Sequence, residues 1–132
     1  MGRNVEIKAR VRDRAELERR VRALADGPAL FIEQDDRFFN CANGRLKLRC
    51  FSDDRGELIF YRRDDGEGPT QSDFITSPTD DPASLHEALA SACGVAGVVR
   101  KRRTLYMAGQ TRVHLDEVED LGNYLELEVE LR

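Results

Sequence analysis

Three glutamates occupy every second position near the end of the chain, at Glu126, Glu128 and Glu130. Leucine or valine fills the positions between them, within a segment that runs from Tyr124 to Leu131. Successive side chains of a β-strand point to opposite faces, so this alternation predicts a strand with one apolar face and one face of aligned carboxylates. Carboxylates in such a row repel one another and need water, metal cations or basic side chains opposite them.

Three earlier segments show the same alternation with basic or mixed faces. The residues that share these faces are Arg45, Lys47 and Arg49, then Lys101 and Arg103, then Arg112, His114 and Asp116. A half-exposed sheet usually turns a polar face with mixed charges to bulk water. Here the cations and anions are sorted by strand, which favours an enclosed and charged interior.

The remaining pattern predicts a mainly β (α+β) protein with two helices. Apolar spacing and caps predict amphipathic helices over residues 14–25 and from Asp81-Pro82 to Gly94. Strands are predicted at residues 4–11, 30–40, 45–49, 57–63, 72–76, 98–106, 111–118 and 124–131, with an interruption at 34–37 and an exposed loop over 64–70. A closed eight-stranded antiparallel β-barrel, with charges inside and helices packed outside, accounts for both the charged faces and the apolar ones.

Composition limits the partners. The 132 residues carry a net charge of −4, which disfavours a general nucleic-acid binder, and they include no apolar run long enough to span a membrane and no signal peptide. The three cysteines, Cys41, Cys50 and Cys93, lack metal-ligand spacing, so a cytoplasmic protein is expected.

A tunnel with separated charges suits a polyanion that a divalent metal bridges to carboxylates.

Five segments, in the same order along the chain, resemble those of the CYTH domain proteins. The segments are Asn4–Lys8, Gly44–Arg49, Arg100–Arg103, Arg112–Asp116 and Leu121–Glu128. This family, also called the triphosphate tunnel metalloenzymes, includes class IV adenylyl cyclases and thiamine triphosphatases. The resemblance covers the whole chain and implies the same closed tunnel, as a single domain over residues 1–132. Relatives continue past the acidic strand into covering helices, so two alternatives are expected: the chain is a shortened form that lacks these helices, or part of its apolar exterior is covered by a partner chain, such as the second copy in a homodimer.

The resemblance also implies roles for individual residues. The ligands of Mg²⁺ or Mn²⁺ would be Glu6, Glu126, Glu128 and Asp116. The triphosphate would be held by Lys8, Arg45, Lys47, Arg49, Arg63, Lys101, Arg103 and Arg112. Catalysis would involve Glu6, Lys8, Asp116, Glu126 and Glu128, with Glu130 as a further acidic candidate near the tunnel mouth.

Two positions depart from the family pattern, and one residue keeps two interpretations. Asn4 replaces the first glutamate of the opening motif, so metal binding is expected to be weaker or shifted toward the last strand. Thr70-Gln71 stands where the family has a basic residue, which removes one phosphate contact. His114 either orients a carboxylate or acts as a base, or it is a hydrogen-bonding bystander.

Three functions stay open on the sequence. The favoured one is metal-dependent hydrolysis of a triphosphate or nucleoside triphosphate. The first alternative is conversion of ATP to cyclic AMP and pyrophosphate, which needs an adenine pocket that the sequence does not identify. The second is a non-catalytic module that binds polyphosphate or an organic phosphate, with Asn4 marking the loss of metal.

Overall fold

The computed structural model describes residues 2–63 and 68–131. Residues 64–67 of the predicted exposed loop lie outside the described residues. The two helices are α1 (Arg14–Leu24) and α2 (Pro82–Cys93). The strands are β1 (Gly2–Arg10), β2 (Leu30–Phe39), β3 (Arg45–Ser52), β4 (Arg55–Arg63), β5 (Thr70–Thr79), β6 (Val95–Ala108), β7 (Thr111–Val118) and β8 (Gly122–Leu131).

The strands form one closed sheet. Their order around the barrel is β1-β5-β4-β3-β2-β6-β7-β8, and β8 pairs with β1 to complete the circle. All neighbouring strands are antiparallel. At the closing pair, Glu6 lies opposite Glu128 and Lys8 lies opposite Glu126. The structure therefore confirms the predicted eight-stranded antiparallel barrel.

Both helices begin at the predicted caps. The Asp13 carboxylate accepts a hydrogen bond of 3.1 Å from the backbone N–H of Glu16, and Asp81 accepts one of 3.1 Å from Ser84. Each bond satisfies a backbone donor that the first helical turn leaves unpaired, and Pro82 fits this turn because it has no N–H to satisfy. Among the described residues, the structure contains no helix with the length and apolar character that crossing a membrane requires.

The apolar faces of several strands point outward and pack under the helices. Helix α1 covers a cluster in which Val21 contacts Tyr106, Val113 and Leu115. Leu115 is 1% exposed on this outer side, while its neighbour Asp116 is 2% exposed on the inner side. Because neighbouring strand residues face opposite ways, the same alternation that builds the core under α1 also fills the interior with polar groups.

The expected interruption of β2 is absent, and several strands are longer than the sequence predicts, most clearly β5 and β6. β2 pairs with β6 through residues 34–37 without a break. β5 continues past the predicted end at residue 76 and includes Pro78, because β1 pairs only as far as Phe74 and leaves the rest of that side of β5 as an edge. β6 starts at Val95 instead of residue 98. Residues 95–97 are small and show no clear alternation in the sequence, and their pairing with β2 is irregular at Phe38 and Phe39.

Candidate functional site in the barrel interior

Most of the sequence-predicted site residues face the barrel interior together. Directly paired residues of antiparallel strands share one face, so the register assigns each side chain to the inside or the outside. His114 lies opposite Glu126, which lies opposite Lys8 on the next strand. Among the described residues, the register puts these charged side chains on the inner face: Glu6, Lys8, Arg10, Asp36, Arg45, Lys47, Arg49, Glu57, Arg63, Lys101, Arg103, Arg112, His114, Asp116, Glu126, Glu128 and Glu130.

Asp36 on β2 anchors one group of cations. Arg49 donates two hydrogen bonds to its carboxylate, of 2.8 and 2.9 Å, and the Lys47 and Lys101 ammonium groups lie 3.8 and 4.0 Å away. Burial opposes ionisation of Asp36, but the hydrogen bonds and charge of Arg49 outweigh it and lower its pKa to about 2. Asp36 is not among the site residues predicted from the sequence, because the polar residues 34–37 predict an interruption of the strand.

Asp116 on β7 holds a second group in the same way. Arg103 donates hydrogen bonds of 2.8 and 2.9 Å to its two carboxylate oxygens, and Lys101 lies 3.7 Å away. Burial acts to raise the pKa of Asp116, but the Arg103 hydrogen bond and charge lower it overall. Both oxygens of Asp116 are thus engaged by Arg103, which fixes the guanidinium in the wall.

The two buried lysines have less compensation for their charge. Burial, followed by repulsion from Arg49, lowers the pKa of Lys47 to about 7. Burial, followed by repulsion from Arg103, lowers the pKa of Lys101 to about 8. The Lys47 ammonium also lies 5.0 Å from the centre of the Tyr61 ring. An anion in the tunnel would stabilise the protonated forms of both lysines.

Three carboxylates, those of Glu6, Glu126 and Glu128, lie where β1 pairs with β8, across the barrel from Lys47 on β3. Glu126 lies 3.6 Å from Lys8 and 3.6 Å from Arg103. Burial opposes its ionisation, but Arg103 and then Lys8 lower its pKa to about 2. Burial raises the pKa of Glu6, and repulsion from Glu126 and Glu128 raises it further. Repulsion from the two glutamates raises the pKa of Glu6 more than the nearby cations Arg63 and Lys47 lower it. A divalent metal ion would offset this repulsion, so Glu6, Glu126 and Glu128 fit a metal site.

Glu128 and His114 complete this wall. Arg112 donates a hydrogen bond of 2.8 Å through Nε to Oε1 of Glu128 and contacts the same oxygen through a second nitrogen. His114 is 4% exposed. Burial, followed by repulsion from Arg103, lowers the pKa of His114 to about 4, so the imidazole is neutral at pH 7. One ligand atom from each of His114, Glu126 and Glu128 lies within 4.8 Å of the other two.

Three predicted positions lie toward one mouth of the barrel. Arg45 and Arg63 line a cavity of about 610 Å³ together with Tyr61 and Gln71. Arg63 also lies 3.8 Å from Glu6, which links the mouth to the carboxylate wall. Of the pair Thr70-Gln71, where a basic residue is expected in relatives, Thr70 lies opposite Glu6 on the inner face and Gln71 lies opposite Val5 on the outer face, so neither brings a positive charge to the tunnel.

Asn4 is buried on the inner face between β5 and β8. It lies opposite Ser72 on one side and Glu130 on the other. Among the described residues, its Oδ1 atom has no hydrogen-bond partner. An amide oxygen in this position can accept a hydrogen bond or contact a cation, but it supplies no negative charge.

A larger cavity of about 1160 Å³ lies on the helix side of the barrel. Gln34 and Lys101 line it together with Arg14 and Pro82 from the first turns of the helices. Acidic and basic residues are mixed around the rest of this cavity, so it shows no preference for one sign of charge. The barrel interior, which brings most of the predicted charged residues together and buries several of them, is the stronger candidate site.

Solved structures share this architecture. The PH1012 protein from Pyrococcus horikoshii is 24% identical with a TM-score of 0.83, and the match covers 96% of this chain and 77% of that one. HpAC1 from Hippeastrum, which is named for adenylyl cyclase and has a dominant triphosphatase activity, is 21% identical with a TM-score of 0.67, covering 97% and 79%. A chain of the Schizosaccharomyces pombe Mediator head module is 8% identical with a TM-score of 0.73, covering 98% and 82%.

No curated protein matches the sequence. The family model of the CYTH domain matches residues 2–132, which is nearly the whole chain. The match agrees with the closed barrel and with the order of the charged strands around it. The chain therefore belongs to the CYTH domain family.

Proposed function

We propose that the protein binds a triphosphate or a nucleoside triphosphate in the barrel interior, together with Mg²⁺ or Mn²⁺, and hydrolyses it. The observation that carries this proposal is the excess of buried cations in one wall, where Lys47, Arg49, Lys101 and Arg103 share the two carboxylates of Asp36 and Asp116. Lys47 and Lys101 lie in one wall with depressed pKa values, and Glu6 lies in the opposite wall with a raised one. A polyanion would stabilise the charged forms of the two lysines, and a divalent cation would stabilise the ionised form of Glu6.

The basic wall would hold the phosphates. Lys47 and Lys101 supply compact positive charges, while Arg49 and Arg103 are held rigid by Asp36 and Asp116. A guanidinium has five N–H donors, so each of these arginines keeps donors for phosphate after its pairing with aspartate. Further contacts along the tunnel and at its mouth would come from Lys8, Arg45, Arg63 and Arg112.

The carboxylate wall would hold the metal, with Glu6, Glu126 and Glu128 as the oxygen ligands. A bound divalent ion supplies charge stabilisation to phosphate oxygens during transfer. Since Arg103 engages both oxygens of Asp116, we assign Asp116 to positioning Arg103 and Lys101 beside the phosphates. We expect catalysis by positioning and electrostatic stabilisation, with water as the nucleophile and no covalent enzyme intermediate.

Hydrolysis is preferred to formation of cyclic AMP because the interior is lined mainly by charged groups that suit phosphates. The dominant triphosphatase activity of the Hippeastrum protein, which shares the fold, also supports it. A non-catalytic phosphate-binding module is the remaining candidate, and Asn4 favours it because the amide lowers the negative charge available to a metal.

A product assay distinguishes these functions. The protein is incubated with Mg²⁺ or Mn²⁺ and with inorganic triphosphate, thiamine triphosphate or ATP in parallel. Phosphate release is expected; pyrophosphate with cyclic AMP would support cyclisation instead, and no product from any of the three would support binding alone.

Glu126→Gln tests the metal assignment in the same assay. Removing a buried metal-ligating charge is expected to lower metal-dependent turnover by at least about 100-fold. Glu33→Gln is the matched control, because Glu33 lies on the exposed outer face of β2. If Glu126→Gln turned over substrate as well as Glu33→Gln, Glu126 would not be a ligand of the metal.

A further inference from the structure

We propose that His114 is a direct ligand of the tunnel metal, so that one imidazole nitrogen joins Glu126 and Glu128 and the site prefers Mn²⁺ to Mg²⁺. This inference rests on the proposed function, since it concerns the metal that function requires. It changes the chemical character of the site from oxygen ligands alone to a mixed nitrogen and oxygen set.

The unsatisfied state of His114 is the first observation. The side chain is 4% exposed, and neither Nδ1 nor Nε2 has a hydrogen-bond partner among the described residues. Burying a polar group without a partner costs stability, and buried side chains normally avoid it. The other histidine, His86, is on α2 outside the barrel, with its ring 5.6 Å from that of Phe39.

The position of the imidazole is the second observation. His114 and Glu126 are directly paired across β7 and β8, and Nε2 of His114 lies 3.9 Å from Oε1 of Glu128. The closest cations contact Oε2 of Glu126 and Oε1 of Glu128. Oε1 of Glu126 and Oε2 of Glu128 are therefore left for a metal, whereas Oε1 of Glu128, the oxygen 3.9 Å from the imidazole, is engaged by Arg112.

The spacing of the ligand atoms fits a metal after side-chain rotation. One ligand atom from each of the three residues lies within 4.8 Å of the others. Bonds of about 2.0–2.2 Å put two ligands of one ion roughly 3.0 Å apart when cis and roughly 4.3 Å apart when trans, so side-chain rotations that bring the atoms closer by up to about 1–2 Å would be needed. The β7–β8 pairing fixes the backbones of all three residues, so the ligand set is largely preformed.

The donor set determines which metal is favoured. Mg²⁺ prefers oxygen ligands and keeps several waters, whereas Mn²⁺, Co²⁺ and Zn²⁺ accept imidazole nitrogen more readily. A neutral imidazole also adds a ligand without adding another negative charge to Glu6, Glu126 and Glu128. The imidazole would replace the ligand that a glutamate at the Asn4 position would supply on the same inner face, but not its charge.

Mn²⁺ is the probe for the test, because pulsed electron paramagnetic resonance detects nitrogen nuclei bound to it. His86→Asn leaves His114 as the single histidine in the chain. Spectra of this variant, grown with ¹⁴N- or ¹⁵N-histidine, are recorded with Mn²⁺ alone and with Mn²⁺ plus inorganic triphosphate. We expect nitrogen modulation that changes frequency with the isotope. Absence of an isotope-dependent signal under both conditions would overturn the proposal.

His114→Asn provides the affinity measurement. Titration calorimetry is expected to show that it weakens Mn²⁺ binding at least about tenfold while changing Mg²⁺ binding much less, with His86→Asn unchanged. Equal losses for the two ions would contradict a nitrogen ligand. The isotope experiment decides the question even if His114→Asn fails to fold, since it leaves His114 in place.

The outcomes separate this inference from the proposed function. Histidine-dependent Mn²⁺ signals from a protein that releases no phosphate would leave the metal site standing and remove the hydrolase assignment. Phosphate release with Mn²⁺ but no histidine signal would do the opposite.

Discussion

At the residue scale, Lys47 shows how the interior prepares for an anion. Its ammonium lies 3.8 Å from Asp36, but Arg49 occupies that carboxylate with two hydrogen bonds. Burial and the Arg49 charge lower the Lys47 pKa from its ordinary 10.5 to about 7. Between these values the unfolded chain binds more protons at Lys47 than the folded protein does. The contribution of Lys47 to the free energy of unfolding therefore becomes more favourable to the folded state as the pH rises from about 7 toward 10.5.

The same shift predicts proton uptake on ligand binding. A triphosphate beside Lys47 favours the charged ammonium and raises its pKa, so binding at pH 8 should take up nearly one proton at this residue. Affinity should fall as the pH rises above 7. Calorimetry in buffers with different ionisation enthalpies measures the number of protons.

Lys47→Arg and Lys101→Arg give a graded comparison, because arginine stays charged at this pH. Lys47→Arg should remove most of a proton from the uptake, and Lys101→Arg about half of one, since the pKa of Lys101 is about 8. Equal uptake by the wild type and Lys47→Arg would contradict the assignment of Lys47 to the phosphate wall.

At the element scale, the register of β7 and β8 could be predicted because their alternation is regular. Apolar residues alternate with glutamates from Leu125 to Leu131, and Val113 and Leu115 form the apolar face of β7, so one face had to be buried. β2 has no such signal, since charged residues occur on both of its faces at Glu33, Asp35 and Asp36. The inward position of Asp36 follows only from pairing with Arg49, a contact 13 residues away in sequence that pattern alone does not provide.

Helix α1 supports the barrel from outside, so its packing should affect stability and leave the chemistry intact. Val21 is 8% exposed against Tyr106, Val113 and Leu115. Val21→Ala should lower the free energy of unfolding by about 2 kcal/mol through lost burial and a small cavity. Urea denaturation measures this, and turnover per folded molecule should not change.

Arg20→Ala is the control on the same helix. Arg20 is exposed and forms a surface ion pair with Glu16, which solvent screens, so its removal should change the free energy of unfolding much less than Val21→Ala does. If both variants lost the same stability, the contact between α1 and the barrel would not be the cause.

At the scale of the whole molecule, the proposed ligand connects parts of the chain that are distant in sequence. Glu6 and Glu128 lie opposite each other in the closing pair of strands, while Lys47 and Lys101 reach the interior from β3 and β6. The unfolded chain does not hold these groups together, so the ligand should bind the closed barrel alone. Such a ligand stabilises the fold by mass action.

Inorganic triphosphate with Mn²⁺ should therefore raise the melting temperature. At about 100 times the dissociation constant, the gain is about 2.7 kcal/mol. For a domain of this size, that corresponds to roughly 8 °C. Differential scanning fluorimetry measures the shift, with sulfate at equal ionic strength as the control for general salt effects. Lys101→Ala should reduce the shift in melting temperature by weakening phosphate binding. Chelation of the metal should also reduce it, because the carboxylates of Glu6, Glu126 and Glu128 would then face the triphosphate without a bridging cation. A shift as large with sulfate, or one that survives both changes in full, would mean that the two walls do not share a ligand.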